Sequence, residues 1–213
     1  SLPAHLARSP ATCRPNDDIF HTCFIDYLVD RNGLAYCSSM TPPTDHRPWR
    51  LSRSDDECLD VVQKQTFRYF WEGAHPTSGL ARDRQKTTGD PANDLVAIGG
   101  SGFGIMAIVV GVARGWVSRC DAVNRLDRML SCLEQTPRYH GMFPHFIDGR
   151  TGKTIPFSRK DDGGDVVESA LLFQGLLCAR QYFDDGTTLE RDLRRRIDRL
   201  WREAEWGWYR RDG

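Results

Sequence analysis

Residues 155–180 constrain the fold of this 213-residue chain more than any other stretch. Four carboxylates fall within eight residues around a Gly-Gly pair, and the sequence then turns almost wholly apolar. The carboxylates are those of Asp161, Asp162, Asp165 and Glu168. The glycines favour a tight turn, and from Asp165 onward no residue is expected to break a helix before Phe183. The stretch therefore predicts a helix that is buried on nearly all sides, with acidic side chains at its N-terminal end.

Asp165 and Glu168 lie three positions apart, on one face of the first helical turn, and this spacing has two interpretations. In a capping box, Asp165 accepts from the amide of Glu168 while Glu168 reaches back to the start of the helix. Capping requires neither the other two acids nor the basic Arg159-Lys160 pair before them. Carboxylates that lie close together repel, which favours keeping one of them protonated, as a general acid must be. The cluster as a whole therefore favours a catalytic site.

The composition excludes several classes of partner. Lys plus Arg and Asp plus Glu number 29 each, so no global field attracts nucleic acid or an anionic membrane. The longest apolar runs, such as residues 105–110, are far shorter than the roughly 20 residues of a membrane span. Residues 1–20 lack the continuous apolar core of a signal peptide. We therefore expect no nucleic acid partner and no membrane span.

The cysteines predict neither a metal site nor a disulfide framework. There are seven, an odd number, and no two form a Cys-x-x-Cys pair. Cys178 lies in the middle of the apolar stretch, where we expect a buried thiol that behaves as a small hydrophobic side chain.

The chain divides near residue 53. Residues 1–53 show little periodicity and carry several prolines, so we expect them to be poorly ordered or loosely packed. Residues 54–213 alternate amphipathic and apolar helices. The helices are predicted to start at the capping box of Ser54, at Phe103, at Ser118, at Asp165 and at Leu189. Residues 148–152 read as a turn between two short strands.

The repeated order of elements predicts an α/α toroid. Each amphipathic helix suits an outer ring and each apolar helix an inner ring, and aromatic, glycine-rich loops precede the inner helices. All of these loops fall at the same end and would gather on one face. The sequence ends at a further aromatic loop, 206–209, before another inner helix, so we expect a toroid cut to about half. The arginine run of the last helix is expected to be a solvated outer face.

Several motifs, in order, resemble the bacterial glucoamylase-like domain, a group that includes endo-β-1,2-glucanases. The motifs are Thr66-Phe67-Arg68-Tyr69-Phe70-Trp71, the His75-Pro76-x-Ser78-Gly79-Leu80-Ala81-Arg82 loop, Gly99-Gly100-Ser101-Gly102-Phe103-Gly104-Ile105-Met106-Ala107, Phe143-Pro144-His145 and Lys160-Asp161-Asp162-Gly163-Gly164-Asp165-x-x-Glu168. The resemblance covers residues 54–213. It implies part of an all-α (α/α)6 barrel, with long loops and short β-hairpins at one face. It also implies the periplasmic or secreted location that is usual for this family.

The resemblance further implies hydrolysis of a glucan, with inversion at the anomeric carbon. The acidic cluster of the family carries over to three residues here: Asp161, Asp165 and Glu168. We interpret Asp165 as the general acid, and the other two as residues that tune it or hold sugar hydroxyls. Inversion places the base about 6.5–9.5 Å from the acid, so we expect it elsewhere in the site. Such hydrolysis requires no cofactor and no metal.

Further residues are candidates for substrate binding. The aromatic side chains Phe143, Trp206 and Trp208 are suited to stacking on glucose rings. Asp162, Arg82, Arg84 and Arg159 are suited to hydrogen bonds with sugar hydroxyls, although the arginines could instead hold the acids in place. His145 is interpreted as part of the substrate wall. The spacing of His140, His145 and Asp148 fits no familiar metal site.

Two alternatives to a hydrolase stay open at this point. One is a carbohydrate-binding fragment without activity, if the base lies outside the chain. The other is a helical scaffold without a sugar site, which the aromatic loops and clustered acids disfavour.

Overall fold

The computed structural model describes residues 54–85 and 93–211. The segment 1–53, predicted to be poorly ordered, lies outside the described residues. The division of the chain into residues 1–53 and 54–213 stays a prediction. The described helices are α1 (Asp55–Trp71), α2 (Ile98–Ala113), α3 (Arg119–Gln135), α4 (Val166–Tyr182) and α5 (Thr188–Arg202). A short 3-10 helix, Trp206–Tyr209, follows α5.

Side-chain caps fix where most of these helices begin. The predicted capping box at Ser54 is confirmed, since Glu57 N–H donates to Ser54 Oγ while Ser54 N–H donates to the Glu57 carboxylate. Ser118 caps α3, and Thr187 caps α5. Each satisfies an amide that the first turn of a helix leaves without an intrahelical partner.

The helices form the two layers expected of an α/α arrangement. The apolar helices α2 and α4 pack most extensively against each other and form the inner layer. The amphipathic helices form the outer layer: α1 packs on α2, and α3 packs on α5. The largest buried side chains, among them Phe173, Leu126 and Ile105, fill the space between the layers. The all-α toroid class predicted from the sequence is confirmed.

Glycines allow the two inner helices to approach closely. A Cβ atom on Gly102 would lie 2.1 Å from the Leu171 carbonyl oxygen, and one on Gly175 would lie 2.2 Å from the Gly102 carbonyl oxygen. This contact explains why α2 begins at Ile98 rather than at the predicted Phe103. Read from the sequence alone, these glycines suggest a loop. In the structure they lie within α2 and leave room for the backbone of α4.

The arginines of α5 do not simply face solvent. The Arg196 side chain is only 12% exposed, and its guanidinium contacts Asp127 and Glu134 of α3. Arg199 also pairs with Glu134, and Arg180 of α4 binds Asp198. The predicted solvated face is therefore wrong for Arg196, because this side chain joins the two outer helices α3 and α5.

A small sheet supports the loops at the N-terminal end of the inner helices. Strand β1 (Leu95–Ala97) pairs antiparallel with β2 (Phe146–Asp148), with Ala97 opposite Phe146. Strand β2 pairs with β3 (Thr154–Ile155), with Phe146 opposite Ile155. The turn predicted at residues 148–152 joins these two strands, as expected. Since β1 leads directly into α2, the sheet fixes the start of that helix.

One side of the inner layer is exposed among the described residues. Val167 of α4 is 65% exposed, and Phe103 and Val110 of α2 are also exposed. Cys178, predicted to be a buried thiol, is exposed on α4. The expectation that α4 is buried on nearly all sides is therefore wrong for this side. No helix in the described ranges has the length and hydropathy needed to cross a bilayer.

Candidate active site

The N-terminal ends of the two inner helices meet at one carboxylate. Helix α2 has no side-chain cap of its own, because its N-cap residue is Ala97. Gly99 N–H instead donates to Glu168 Oε2 of α4, at 2.8 Å. Anions are stabilised at helix N-termini by the free amides and the helix dipole. Glu168 therefore serves α2 as a cap supplied by the neighbouring helix.

The capping box predicted within α4 forms only in part. Asp165 Oδ1 accepts from Val167 N–H at 2.8 Å and from Glu168 N–H at 2.9 Å. Glu168 does not complete the box, because its carboxylate bonds Gly99 of α2. Asp165 thus uses one oxygen for capping, and its second oxygen faces the cluster described next.

The loop before α4 is fixed to that helix through the Phe143 backbone. Phe143 O accepts from Asp165 N–H at 2.8 Å, and Phe143 N–H donates to Ser169 Oγ at 2.8 Å. The Phe143 side chain anchors the loop in the core, where it is 0% exposed. Two residues further on, this anchoring carries His145 to the start of α4.

His145 is surrounded by the three predicted catalytic acids. Its Nδ1 lies 3.0 Å from Asp165 Oδ2 and 3.9 Å from Asp161 Oδ2. Its Nε2 lies 3.9 Å from Glu168 Oε1. All four side chains are partly exposed, so the cluster opens to solvent. The structure therefore brings Asp161, Asp165, Glu168 and His145 together around one imidazole.

Three of these residues have the geometry of a possible cation site. One ligand atom from each of His145, Asp161 and Asp165 lies within 4.8 Å of the others. The imidazole–carboxylate contact of 3.0 Å is also an ordinary hydrogen bond, which partners these groups without a metal. Hydrolysis by the carboxylates themselves requires no ion at this position.

An aromatic cluster covers one side of His145. The Phe157 ring stacks on the imidazole at 4.6 Å with an interplanar angle of 16°, and the Phe146 ring lies 4.4 Å from the same imidazole. Phe157 follows β3, and Phe146 begins β2, so the small sheet positions both rings. Stacked aromatic rings hold the imidazole in a fixed plane beside the acids.

A second aromatic cluster adjoins the acids through the Gly163-Gly164 turn. The Trp208 ring stacks on His140 at 4.0 Å, and Tyr209 Oη–H donates to Tyr139 O at 2.5 Å. A Cβ atom on Gly164 would lie 2.6 Å from Tyr209 Oη, so this cluster lies directly beside the turn that precedes Asp165. The aromatic loops predicted to gather on one face do so.

Two predicted substrate-binding aromatic residues pack against the core, one of them fully buried. Phe143 is fully buried, and its role is the backbone anchoring described above. Trp206 packs against the core, with its ring 6.0 Å from Phe173 and 5.7 Å from Trp201. The predicted stacking on sugar is therefore wrong for Phe143, and it stays a prediction for Trp206, which is only partly buried. Trp208, by contrast, is exposed beside the site.

The polar candidates fall in two places, the turn that carries Asp161 and the outer edge of β1. Asp162 and Arg159 are exposed on the turn that carries Asp161. Arg82 forms a bridge with Val96 of β1 and donates to the Asn93 carbonyl oxygen. Arg84 is highly exposed and pairs with Asp83 at 2.6 Å. The arginines Arg82 and Arg84 therefore lie beside β1, on the edge of the sheet away from β3.

A buried histidine fixes the loop that carries Arg82. His75 is almost fully buried; its Nε2 lies 3.0 Å from Asp94 Oδ1, and its Nδ1 accepts from Thr77 N–H. The hydrogen bond from His75 and the positive charge of Arg150 hold the pKa of Asp94 below its ordinary value. The predicted motif His75–Arg82 is thus attached to the residue that precedes β1.

Phe157 and Gly99 are parts of the site that sequence reasoning did not single out. Phe157 stands alone before a polar turn, and its partner His145 is twelve residues earlier, so only the pairing of β2 with β3 could have indicated the contact. Gly99 lies in a run of glycines that reads as a loop. The signal for its role would have been the absence of a capping side chain at Ala97.

No protein-family model matches the sequence. The chain is 50% identical over 188 residues to an exo β-1,2-glucooligosaccharide sophorohydrolase (non-reducing end) of Parabacteroides distasonis. That match covers 87% of this chain and 24% of the relative.

Two solved structures are similar in both sequence and fold. A "putative glucoamylase" from Bacteroides caccae is 52% identical with a TM-score of 0.71, over 75% of this chain and 40% of that protein. An endo-β-1,2-glucanase from Chitinophaga pinensis, solved with sophorotriose and glucose, is 49% identical with a TM-score of 0.72. The latter match covers 75% of this chain and 39% of that enzyme, so this chain spans less than half the length of each of these three proteins.

Proposed function

We propose that this chain, which corresponds to part of a glucoamylase-like domain, contributes the acidic side of an active site that hydrolyses β-1,2-linked glucan. The observation that carries the proposal is the gathering of Asp161, Asp165 and Glu168 around His145 at the mouth of the inner helices. Relatives about half identical in sequence hydrolyse β-1,2-linked glucans. The matches cover 87% and 75% of this chain, and they support the same substrate class here.

In the proposed mechanism Asp165 is the general acid. Its Oδ1 is occupied by two backbone amides, so Oδ2, the oxygen that faces His145 and the open cluster, carries the proton. That proton passes to the glycosidic oxygen as the bond from this oxygen to the anomeric carbon breaks. A water molecule attacks the anomeric carbon from the opposite face and loses its proton to a base.

The base is proposed to lie outside this cluster. An inverting pair is separated by about 6.5–9.5 Å, which leaves room for the attacking water. The nearest carboxylate oxygens of Asp161 and Asp165 are within 4.8 Å of each other, too close to admit it. Glu168 is held by Gly99 of α2 and is better placed to support the site than to move toward a water. Asp161 and the exposed Asp162 are proposed to accept hydrogen bonds from sugar hydroxyls.

The proposal is tested by measuring the release of reducing ends from a panel of α- and β-linked glucans. We expect release from β-1,2-glucan above all other linkages, and a loss of about 10²-fold or more in the Asp165→Asn variant. The asparagine side chain of this variant keeps an oxygen that can accept from the two amides, so the start of α4 stays capped. Equal rates from both proteins would show that Asp165 is not the acid.

The stereochemistry is tested by following the anomers of the first products by proton NMR. We expect the α-anomer from a β-linked substrate, because the proposed reaction inverts the configuration. The β-anomer would contradict inversion. It would instead make Asp161 and Asp165 the acid and nucleophile of a retaining enzyme, whose carboxyl groups lie about 5–5.5 Å apart.

A second candidate is a carbohydrate-binding unit without activity. It is favoured by one observation, the lack of an inverting partner for Asp165 within the cluster. In that case β-1,2-gluco-oligosaccharide binds the folded chain, measured by calorimetry, while no reducing ends are released. Turnover by the purified chain excludes this alternative.

A further inference from the structure

We propose that Phe157 is a sugar-stacking residue, and that its exposed ring face binds a glucose ring of the β-1,2-glucan directly beside the acidic cluster. This inference rests on the proposed function. It adds a residue that sets which sugar unit is held next to Asp161 and Asp165.

The Phe157 ring is exposed to solvent on one face. Phe157 is 59% exposed, although one of its faces is covered by the His145 imidazole in a nearly parallel stack. Parallel stacking of two flat rings leaves the opposite face of the outer ring open. Apolar surface left in contact with water costs about 25 cal/mol per Å² of free energy, and a ligand that covers the ring face would offset this cost.

The Phe157 ring is also held in place by the turn that follows it and by a neighbouring ring. Phe157 N–H donates to Asp161 O at 3.0 Å, and Asp161 N–H donates to Ser158 O at 3.0 Å. The ring therefore belongs to the same tight turn as one of the acids. The Phe146 ring, 5.6 Å away on β2, supports it from a second direction. A ring fixed in this way loses little conformational entropy when a ligand binds.

The surface around Phe157 is chemically complementary to a β-linked glucose unit. In β-glucopyranose the hydroxyls are equatorial, so the two faces of the ring present C–H groups and the rim presents hydroxyls. The C–H groups suit the electron-rich face of Phe157. The rim suits carboxylate acceptors, and Asp161, Asp162 and Asp165 lie on or beside the same turn. An apolar face with a few fixed polar groups around it is the usual composition of a small-ligand site.

Phe157 could alternatively serve only to hold His145 in place. The two roles differ in what the side chain must provide. Holding the imidazole requires apolar contact, which leucine supplies. Binding a sugar requires a flat aromatic face, which tyrosine and tryptophan supply and leucine does not.

The experiment is a calorimetric titration of the folded chain with β-1,2-linked glucotriose, in an Asp165→Asn background that prevents turnover. We expect Phe157→Ala and Phe157→Leu to weaken binding about tenfold, the equivalent of roughly 1.4 kcal/mol. We expect Phe157→Trp to stay within about threefold of the parent, a difference below roughly 0.7 kcal/mol. Leu59→Ala is the matched control, because Leu59 is similarly exposed, at 56%, on the outer helix α1.

The outcomes are separable. Unchanged affinity in both Phe157→Ala and Phe157→Leu, with the parent binding the sugar, would overturn the stacking role and leave the proposed function intact. Parent-like affinity in Phe157→Leu alone would show that the residue only holds His145. No binding by the parent would contradict the proposed function, and with it this inference. Circular dichroism melts of each variant confirm that the comparison is made between folded proteins.

Discussion

Glu168 links the two inner helices through a single hydrogen bond, from Gly99 N–H to Oε2 at 2.8 Å. Because α2 has no cap of its own, removing this acceptor leaves a partly buried amide without a partner. We predict that Glu168→Ala lowers the free energy of unfolding by about 1–2 kcal/mol. Glu168→Gln keeps an amide oxygen at the same place and should cost less than half as much.

Urea denaturation of the two variants and the parent measures this difference. Equal destabilisation by Ala and Gln would show that the charge of Glu168, and not its role as an acceptor, stabilises the fold.

At the scale of the residue, the sequence predicted which side chains meet but not how they are partnered. The gathering of Asp161, Asp165 and Glu168 followed from their spacing at one helix start. The partner of Glu168 did not, because Gly99 is 69 residues away and becomes its neighbour only when α2 and α4 pack. The burial of Phe143 was missed for a similar reason, since an aromatic loop residue in a sequence gives no sign of which face it points to.

At the scale of the element, the contact between α2 and α4 depends on two glycines. A Cβ atom on Gly102 or Gly175 would meet backbone atoms of the other helix, which cannot rotate away as a side chain can. We predict that Gly102→Ala and Gly175→Ala each lower stability by about 1–3 kcal/mol, despite the better helix propensity of alanine.

Gly100→Ala, in the same helix, is the control for the two glycine substitutions. A Cβ atom there would have the Ala97 side chain as its nearest neighbour, at 3.3 Å, so we expect only a small change. Thermal unfolding distinguishes the three variants. Similar midpoints for all of them would contradict a close approach of the two inner helices.

The outer helices α3 and α5 are joined by an ion pair that should make stability depend on pH. Partial burial alone would raise the pKa of Glu134, but the hydrogen bonds and charges of Arg196 and Arg199 outweigh it and hold the pKa below the ordinary value of 4.5. A carboxylate with a lowered pKa stabilises the fold fully above that ordinary value. The contribution is lost as the pH falls through the lower, folded value.

We predict that Glu134→Gln destabilises the protein by roughly 1–2 kcal/mol at neutral pH, because two N–H donors of Arg196 lose a charged acceptor. The difference between variant and parent should shrink as the pH is lowered below 4.5. Denaturation curves at several pH values measure it. A difference that is the same at acidic and neutral pH would contradict the pairing.

Helix starts that carry a capping side chain were predictable, and the start that lacks one was not. Ser54 and Ser118 marked α1 and α3 within a residue, because a side-chain oxygen at the N-cap is a local signal. Helix α2 starts five residues before the predicted Phe103, because its glycines are required by packing against α4, a non-local cause.

At the scale of the whole molecule, the exposed apolar side of the inner layer should govern behaviour in solution. The exposed residues Phe103 and Val110 lie seven positions apart on one face of α2, and Val167 is exposed on α4. Contiguous exposed apolar surface favours association. We predict concentration-dependent self-association, measured by sedimentation velocity, that weakens in a Phe103→Gln, Val167→Gln variant. A monomer at all concentrations would contradict this.

The layered α/α architecture was predictable from the alternation of amphipathic and apolar helices, because each pattern dictates how many sides of a helix are buried. Which side of α4 stays open was not predictable. Cys178 and Val167 share the apolar character of their buried neighbours, and only the positions of the other helices distinguish them.

If the acids around His145 form a site for β-1,2-linked glucan, a bound sugar must be found over them. The most direct test is a crystal structure of the Asp165→Asn variant with β-1,2-linked glucotriose. We expect electron density for the sugar over the cluster, with hydroxyls within hydrogen-bonding distance of Asp161 and one glucose ring against Phe157. Sugar bound only at another surface, or none at a concentration that saturates binding to an endo-β-1,2-glucanase relative, would contradict it.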